Sequence, residues 1–229
     1  MKKLLWLFLI LFALAWCNMV HVKKDVSINE SIIKENLNKK TWYLNLSNKG
    51  YDKIPDFCNN TVLNANIKII DFSHNNIKKV DQDLTCLNNL EVIDFSYNDI
   101  DNFINLWKPR FLHTINLQNN KISNLGNLSK YKNIAHLNLD YNNIKSLNFL
   151  KNLKDLRVLG LQHNNISNLS WLDNFNQILS IDLSYNNISD KYQLKYLKNL
   201  HTLRKLYLKW NPLDKNIINK IEDWSNSNN

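Results

Sequence analysis

The apolar positions from residue 67 to residue 213 obey one rule. An aliphatic residue is followed at +3 and +5 by two more apolar residues, at +8 by Asn and at +10 by a further aliphatic. This pattern, L-x-x-L-x-L-x-x-N-x-L, occurs seven times. The first copy is Ile67, Ile70, Phe72, Asn75 and Ile77; the last is Leu203, Leu206, Leu208, Asn211 and Leu213. Successive copies start 23, 22, 22, 22, 22 and 25 residues apart. An earlier, degenerate copy keeps Leu44 and Leu46 but has Lys49 where Asn belongs.

The central L-x-L has period two, so each copy predicts a short strand with two apolar side chains facing in. Stacked copies would pair these strands into one parallel sheet, rising about 4.8 Å per repeat. The Asn follows the strand, where the chain must turn inward. Its amide carries donors and an acceptor and suits backbone groups that would otherwise be buried unpaired. Asn75, Asn98, Asn120, Asn142, Asn164, Asn186 and Asn211 are therefore read as a structural ladder rather than a binding site.

The rest of each copy continues as L-x-x-L, clearest at Leu147, Leu150, Leu153 and Leu156. Twenty-two residues leave little room for a full helix, so short 3-10 or single helical turns are expected on the outer wall. The longer sixth copy is the exception. Asp190 and Gln193 form a capping-box pair, which predicts a helix with Lys191, Lys195 and Lys198 in water. Solenoid ends need covers. Ile217, Ile218, Ile221 and Trp224 fall on one helical face behind Asp214, a candidate N-cap. At the other end, Ser27 and Glu30 precede Ile32, Ile33 and Leu37 in a second capping-box pattern.

On these motifs the chain resembles the leucine-rich repeat family over residues 41–213, with one degenerate and seven full copies. The 22-residue form is similar to the internalins and to the regulatory leucine-rich repeat subunit of the type-1 protein phosphatase. The resemblance implies an α/β solenoid: a horseshoe with one parallel β-sheet on the concave face and short turns on the convex face. It also implies that partners bind on the concave face. The expected organisation is a signal peptide at 1–15, a cap region at 16–40, the repeats, a capping helix at 214–224 and a disordered tail at 225–229.

Composition adds constraints. Only 3 Gly and 3 Pro argue against a turn-rich sandwich and against a glycine-loop nucleotide enzyme. Asn numbers 42, but it recurs at fixed repeat positions, which compositional bias does not explain. The net charge of +9 invites acidic partners, yet spread-out Lys is also the usual solvent coat. Lys2 and Lys3, the apolar run from Leu4 and the Ala13-Leu14-Ala15 triplet have the layout of a secretory leader. The alternatives are an uncleaved membrane anchor and a lipidated Cys17, although Trp16 stands where a lipoprotein signal wants a small residue. Cys58 and Cys86 form either a disulfide suited to an oxidising compartment or a pair of small core residues. Glycosylation sequons begin at Asn29, Asn45, Asn59, Asn127, Asn165, Asn168 and Asn187.

No catalytic or cofactor motif emerges. Gly50, Gly126 and Gly160 stand alone, no Ser sits in a nucleophile elbow, and the six His do not converge. His113 and His136 come from neighbouring copies but lack a third ligand.

The outward strand positions are more informative. Asn45, Asp71, Asp94, Asn116, Asn138, Gly160, Asp182 and Tyr207 form one column. Ser47, Ser73, Ser96, Gln118, Asp140, Gln162, Ser184 and Lys209 form a second. Asn48, His74, Tyr97, Asn119, Tyr141, His163, Tyr185 and Trp210 form a third, a ladder of rings. Large polar-tipped residues suit an exposed sheet, but Tyr and Trp are also the residues of binding hot spots. The candidate partner-binding set is Asp71, His74, Asp94, Tyr97, Asp140, Tyr141, His163, Asp182, Tyr185, Tyr207 and Trp210. Acids on this face argue against a nucleic-acid groove and leave anionic surfaces to the Lys-bearing convex side. The expectation is a monomeric, secreted, non-enzymatic protein that binds a protein partner, with no cofactor, metal, nucleic acid or small-molecule substrate. The alternative is an intracellular regulatory subunit of a type-1-like phosphatase.

Overall fold

A computed structural model describes residues 35–38, 42–58, 66–103 and 109–227. The leader, Cys17, most of the N-terminal cap region, the sequons at Asn29 and Asn59 and the last two residues of the tail lie outside the described residues.

Each copy folds as one coil that opens with a strand. The strands are β1 (Leu37–Asn38), β2 (Tyr43–Asn45), β3 (Ile69–Asp71), β4 (Lys79–Val80), β5 (Val92–Asp94) and β6 (Asn102–Phe103). They continue as β7 (Thr114–Asn116), β8 (His136–Asn138), β9 (Val158–Gly160), β10 (Ser180–Asp182) and β11 (Lys205–Tyr207). Nine form one sheet in the order β1-β2-β3-β5-β7-β8-β9-β10-β11. β1 pairs antiparallel with β2, and the other neighbours are parallel. Register is strict: Leu44, Ile70, Ile93, Ile115, Leu137, Leu159, Ile181 and Leu206 stand side by side and inward. A small second pair, β4 with β6, lies on the outer wall of the early coils.

The convex wall follows the expectation of short turns. It holds the 3-10 segments η1 (Gly126–Lys130), η2 (Asn148–Leu150) and η3 (Ser170–Asn174). Leu147, Leu150, Leu153 and Leu156 are all buried beneath it. The sixth copy differs from expectation. Lys191–Asn199 is a nine-residue 3-10 helix, η4. Asp190 does cap it, accepting the Tyr192 N–H at 2.8 Å. Gln193 does not reach back; its Oε1 accepts the Leu169 N–H of the preceding coil. That inter-coil bond takes the side chain a capping box needs. Lys191, Lys195 and Lys198 are exposed. The C-terminal helix, Lys215–Ser227, runs past Trp224 into residues expected to be disordered. Asp214 starts it, accepting the Asn216 N–H at 2.8 Å.

At the N-terminal end, Cys58 and Cys86 are bridged, with Cα atoms 5.3 Å apart. Closing a 28-residue separation contributes about 3–4 kcal/mol in the chain-entropy view. Beside it, the buried rings of Phe57, Phe72 and Phe95 pack at 5.5–6.0 Å, filling the wide first coils.

The seven Asn join coil to coil. Asn98 Nδ2 donates to Phe72 O of the preceding coil (2.9 Å) and to Phe95 O (3.0 Å) and Ser96 O (3.2 Å) of its own. Its Oδ1 accepts the N–H of Ile77, again in the preceding coil (2.9 Å). Asn75, Asn120, Asn142, Asn164, Asn186 and Asn211 repeat this arrangement. All seven are buried. Asp has no amide to donate and Leu has neither function, whereas the Asn amide satisfies both sides of the joint.

Asn142→Ala should leave Leu117 O, Leu139 O and the Ile122 N–H without their side-chain partner. The expected loss is about 2–5 kcal/mol of unfolding free energy. The exposed neighbour Asn143→Ala should change it by less than about 0.5 kcal/mol. Denaturant unfolding of both variants checks this; equal effects would refute the ladder's role.

Candidate functional site: the concave face

The third outward column has an unusual backbone. Asn48, His74, Tyr97, Asn119, Tyr141, His163, Tyr185 and Trp210 all have φ between 52° and 62°. In the seven full copies the chain reverses there to send the following Asn into the core. Each N–H from Asn48 to Tyr185 still donates to the following coil, as Tyr97 does to Gln118 O (2.9 Å) and Tyr141 to Gln162 O (2.7 Å). This pins the turn in place.

Asn tolerates this conformation, and ring-bearing residues do so poorly. Yet six of the eight positions carry rings in a chain with 42 Asn. The rings stack. His74 lies on Tyr97 at 4.3 Å, Tyr141 on His163 at 4.3 Å, His163 on Tyr185 at 4.0 Å and Tyr185 on Trp210 at 5.6 Å. Left-handed strain costs about 1–2 kcal/mol per residue, and a stacked pair returns about 0.5–1.5 kcal/mol. Four pairs offset only part of the strain at six residues. On these magnitudes the ladder carries a net backbone cost. Its rings stay in water: Trp210 is 69% exposed and Tyr97 46%.

The Asp and Asn column does structural work that its position in the sequence does not reveal. Asp71, Asp94 and Asp182 each accept, on Oδ1, the N–H two residues on (2.7–2.9 Å). Asn45, Asn116 and Asn138 do the same. These turns close each strand, so one oxygen of each Asp is already engaged. The second oxygen of Asp71 accepts the Tyr43 hydroxyl at 2.8 Å, and burial with Asp71 beside it pushes that phenol far up. The second oxygen of Asp94 accepts Asn116 Nδ2 at 2.9 Å.

Gly160 interrupts the column. It has no side chain to take the Gln162 N–H, and Asp140 of the preceding coil takes it instead at 2.7 Å. A Cβ at residue 160 would lie 2.8 Å from both Asn138 Oδ1 and Asp140 Oδ1, so glycine is there for space. Reading two columns together would have shown this exchange: one Gly in an Asp/Asn column, beside one Asp in a Ser/Gln column.

Two of these carboxyls hold protons unusually well. Burial, with Asp71 adding to it, raises Asp94 to about 6. Burial raises Asp140 to about 7, Asp182 adding to it. On the same face burial, His113 and Arg157 push His136 down, away from the cationic form. Tyr207 and Trp210 end the face in the last coil, both exposed. Among the described residues no group of three or more His, Cys, Asp or Glu is placed to hold a metal ion.

One short strand per coil in a parallel sheet, 3-10 turns outside and a buried Asn joint define a leucine-rich repeat solenoid. The chain is similar to two solved internalins of Listeria monocytogenes. With inlF it shares 22% identity over 82% of this chain and 60% of that one, at a TM-score of 0.56. With internalin C2 it shares 25% identity over 69% and 67%, at a TM-score of 0.55. It is also similar to TLR13 in a TLR13–ssRNA13 complex: 23% identity, 76% of this chain, 25% of that one, TM-score 0.60. The chain thus spans less than two thirds of the inlF structure and a quarter of TLR13. No protein-family model matches it, and no curated protein matches its sequence.

The raised carboxyls fix the sign of a pH dependence. The folded state binds these protons more tightly than the unfolded chain, so their contribution is fully present below about pH 4. It is lost as pH rises through 6 to 7, the values of Asp94 and Asp140. Asp140→Asn keeps an acceptor for Gln162 and removes the charge. It should stabilise the protein by about 1–3 kcal/mol at pH 8 and hardly at all at pH 4. Thermal midpoints of both chains at the two pH values test this; equal shifts would contradict it.

Proposed function

We propose that this protein is a non-enzymatic recognition or adhesion protein that binds a protein partner on its concave face and works outside the cell. The observation that carries the reading is the ring ladder. Rings occupy a strained backbone position that Asn would fill more cheaply, their stacking does not offset the strain, and their edges remain in solvent. Exposed, rigid Tyr and Trp with few rotatable bonds are the side chains that supply binding energy at interfaces.

Export is supported by the leader-like start and by the Cys58–Cys86 bridge, which suits an oxidising compartment. Among the described residues no helix is long and apolar enough to cross a membrane. The bridge weighs against the phosphatase-subunit reading, whose compartment keeps thiols reduced. The native chain should begin at Trp16 and contain no free thiol at Cys58 or Cys86. Intact mass measurement of the native chain would sink this part of the reading by finding Met1 retained and both thiols free.

The face itself is tested with ligands selected from a displayed peptide library. Tyr141→Ala or Tyr185→Ala should weaken them by about 1–3 kcal/mol with little effect on thermal midpoint. Leu139→Ala or Leu183→Ala, fully buried, should instead cost about 2–5 kcal/mol of stability. Ligands that ignore both Tyr variants but are lost on Lys145→Ala, on the convex side, would overturn the assignment.

A further inference from the structure

The ring ladder is broken once. Below the break, His74 stacks on Tyr97; above it, Tyr141, His163, Tyr185 and Trp210 run on without interruption. Among the described residues no ring contact joins Tyr97 to Tyr141 across Asn119. We propose that this break is a slot for an arginine side chain, and that the concave face takes a cationic segment of a partner polypeptide. The inference rests on the concave-face reading above and names the partner's chemistry.

The slot has the right thickness. Rings one coil apart in this column lie 4.0–4.3 Å apart between Tyr141, His163 and Tyr185, and between His74 and Tyr97. Two such steps separate Tyr97 from Tyr141, roughly 8–9 Å at this spacing. One planar layer with about 3.5–4 Å to each face fills that gap. Asn119 occupies the base of the layer, pinned by its N–H to Asp140 O at 2.9 Å. Its amide is much shorter than a Tyr side chain, so the outer part of the layer lies open between two aromatic faces. Tyr141 is 40% exposed and Tyr97 46%.

The charge on the face selects the occupant. The outward columns of the coils from β3 to β10 contain Asp71, Asp94, Asp140 and Asp182 and no Lys or Arg. This holds in a chain with 29 Lys and Arg against 20 Asp and Glu. The cations stand elsewhere, for instance at the exposed Lys78, Lys121, Lys145, Lys151 and Lys154. Within those columns only Asp carries a formal charge, and Lys209 enters the second column only at β11. A phosphate-bearing ligand would meet columns whose only formal charges are acidic. A guanidinium is cationic, planar and weakly hydrated, and it stacks on aromatic faces. A lysine ammonium answers the charge but not the flat slot.

The test uses the full oxidised chain and three labelled nonapeptides, of arginine, lysine and glutamate, in fluorescence anisotropy at fixed salt. The arginine peptide should bind about fivefold or more tighter than the lysine peptide, and the glutamate peptide should not bind. Asn119→Tyr fills the slot with a side chain this column already accepts in the coils on either side. It should bring the arginine affinity down to the lysine value while the chain still unfolds cooperatively, at an unchanged or somewhat lower thermal midpoint. Asn119→His serves the same purpose should the Tyr variant fold poorly. Asp182→Asn should weaken both cationic peptides. Equal affinities for arginine and lysine, or an Asn119→Tyr chain that keeps its arginine preference, would overturn the slot. Absence of binding by either cationic peptide would overturn the cationic partner. Neither failure touches the concave-face reading, which stands or falls on Tyr141→Ala and Tyr185→Ala with library-selected ligands.

Discussion

Everything in this fold follows from one joint. After each strand the chain turns inward and would leave carbonyls of two adjacent coils and one N–H buried without partners. A single Asn amide satisfies them all, donating across the coil boundary and accepting back from it. Repeating that joint every 22 or so residues fixes the register of the sheet, because a coil slipped by one residue loses both its Asn bonds and its inward Leu. The joint also dictates the left-handed residue just before it. The concave ladder therefore exists because the core demands a reversal there, and function has only the choice of side chain.

That choice is what the proposed recognition role rests on. The left-handed positions offer Asn at low strain, and the chain uses Asn at two of them, Asn48 and Asn119. At the other six it accepts strain to place His, Tyr or Trp. Ring stacking returns part of the energy and holds the rings in a row of pre-ordered side chains, which under the proposed function lowers the entropy cost of binding. The carboxyls beside the row are half engaged in closing turns, which fixes their orientation as well.

Much of this was legible in the sequence. The copies, the strand positions, the buried Asn and the membership of each outward column follow from spacing alone, because a period fixes what faces where. The bridge between Cys58 and Cys86 was one of two open readings, since spacing does not give the distance between neighbouring outer walls. Three features were not legible. Left-handed backbone at Tyr and His is invisible to propensity, which would put Asn or Gly there. The capping-box pattern at Asp190 and Gln193 pointed to a helix, but Gln193 is drawn to the Leu169 N–H of the preceding coil. The roles of Asp71, Asp94 and Asp182 looked purely external until the turn N–H groups were located. In the first two cases a contact between coils outcompeted a local preference, whereas the Asp turns are local bonds two residues long.

The central claim is that the rings are held for recognition at the expense of backbone strain. The most direct test is the unfolding free energy of the chain carrying Tyr141→Asn and Tyr185→Asn together. The account predicts stability that is unchanged or higher, because Asn relieves left-handed strain at both positions and Asn119 already occupies the same column. A net loss of more than about 3 kcal/mol, larger than three broken stacked pairs cost once strain at two residues is relieved, would show that the ladder is a structural prop and contradict the account.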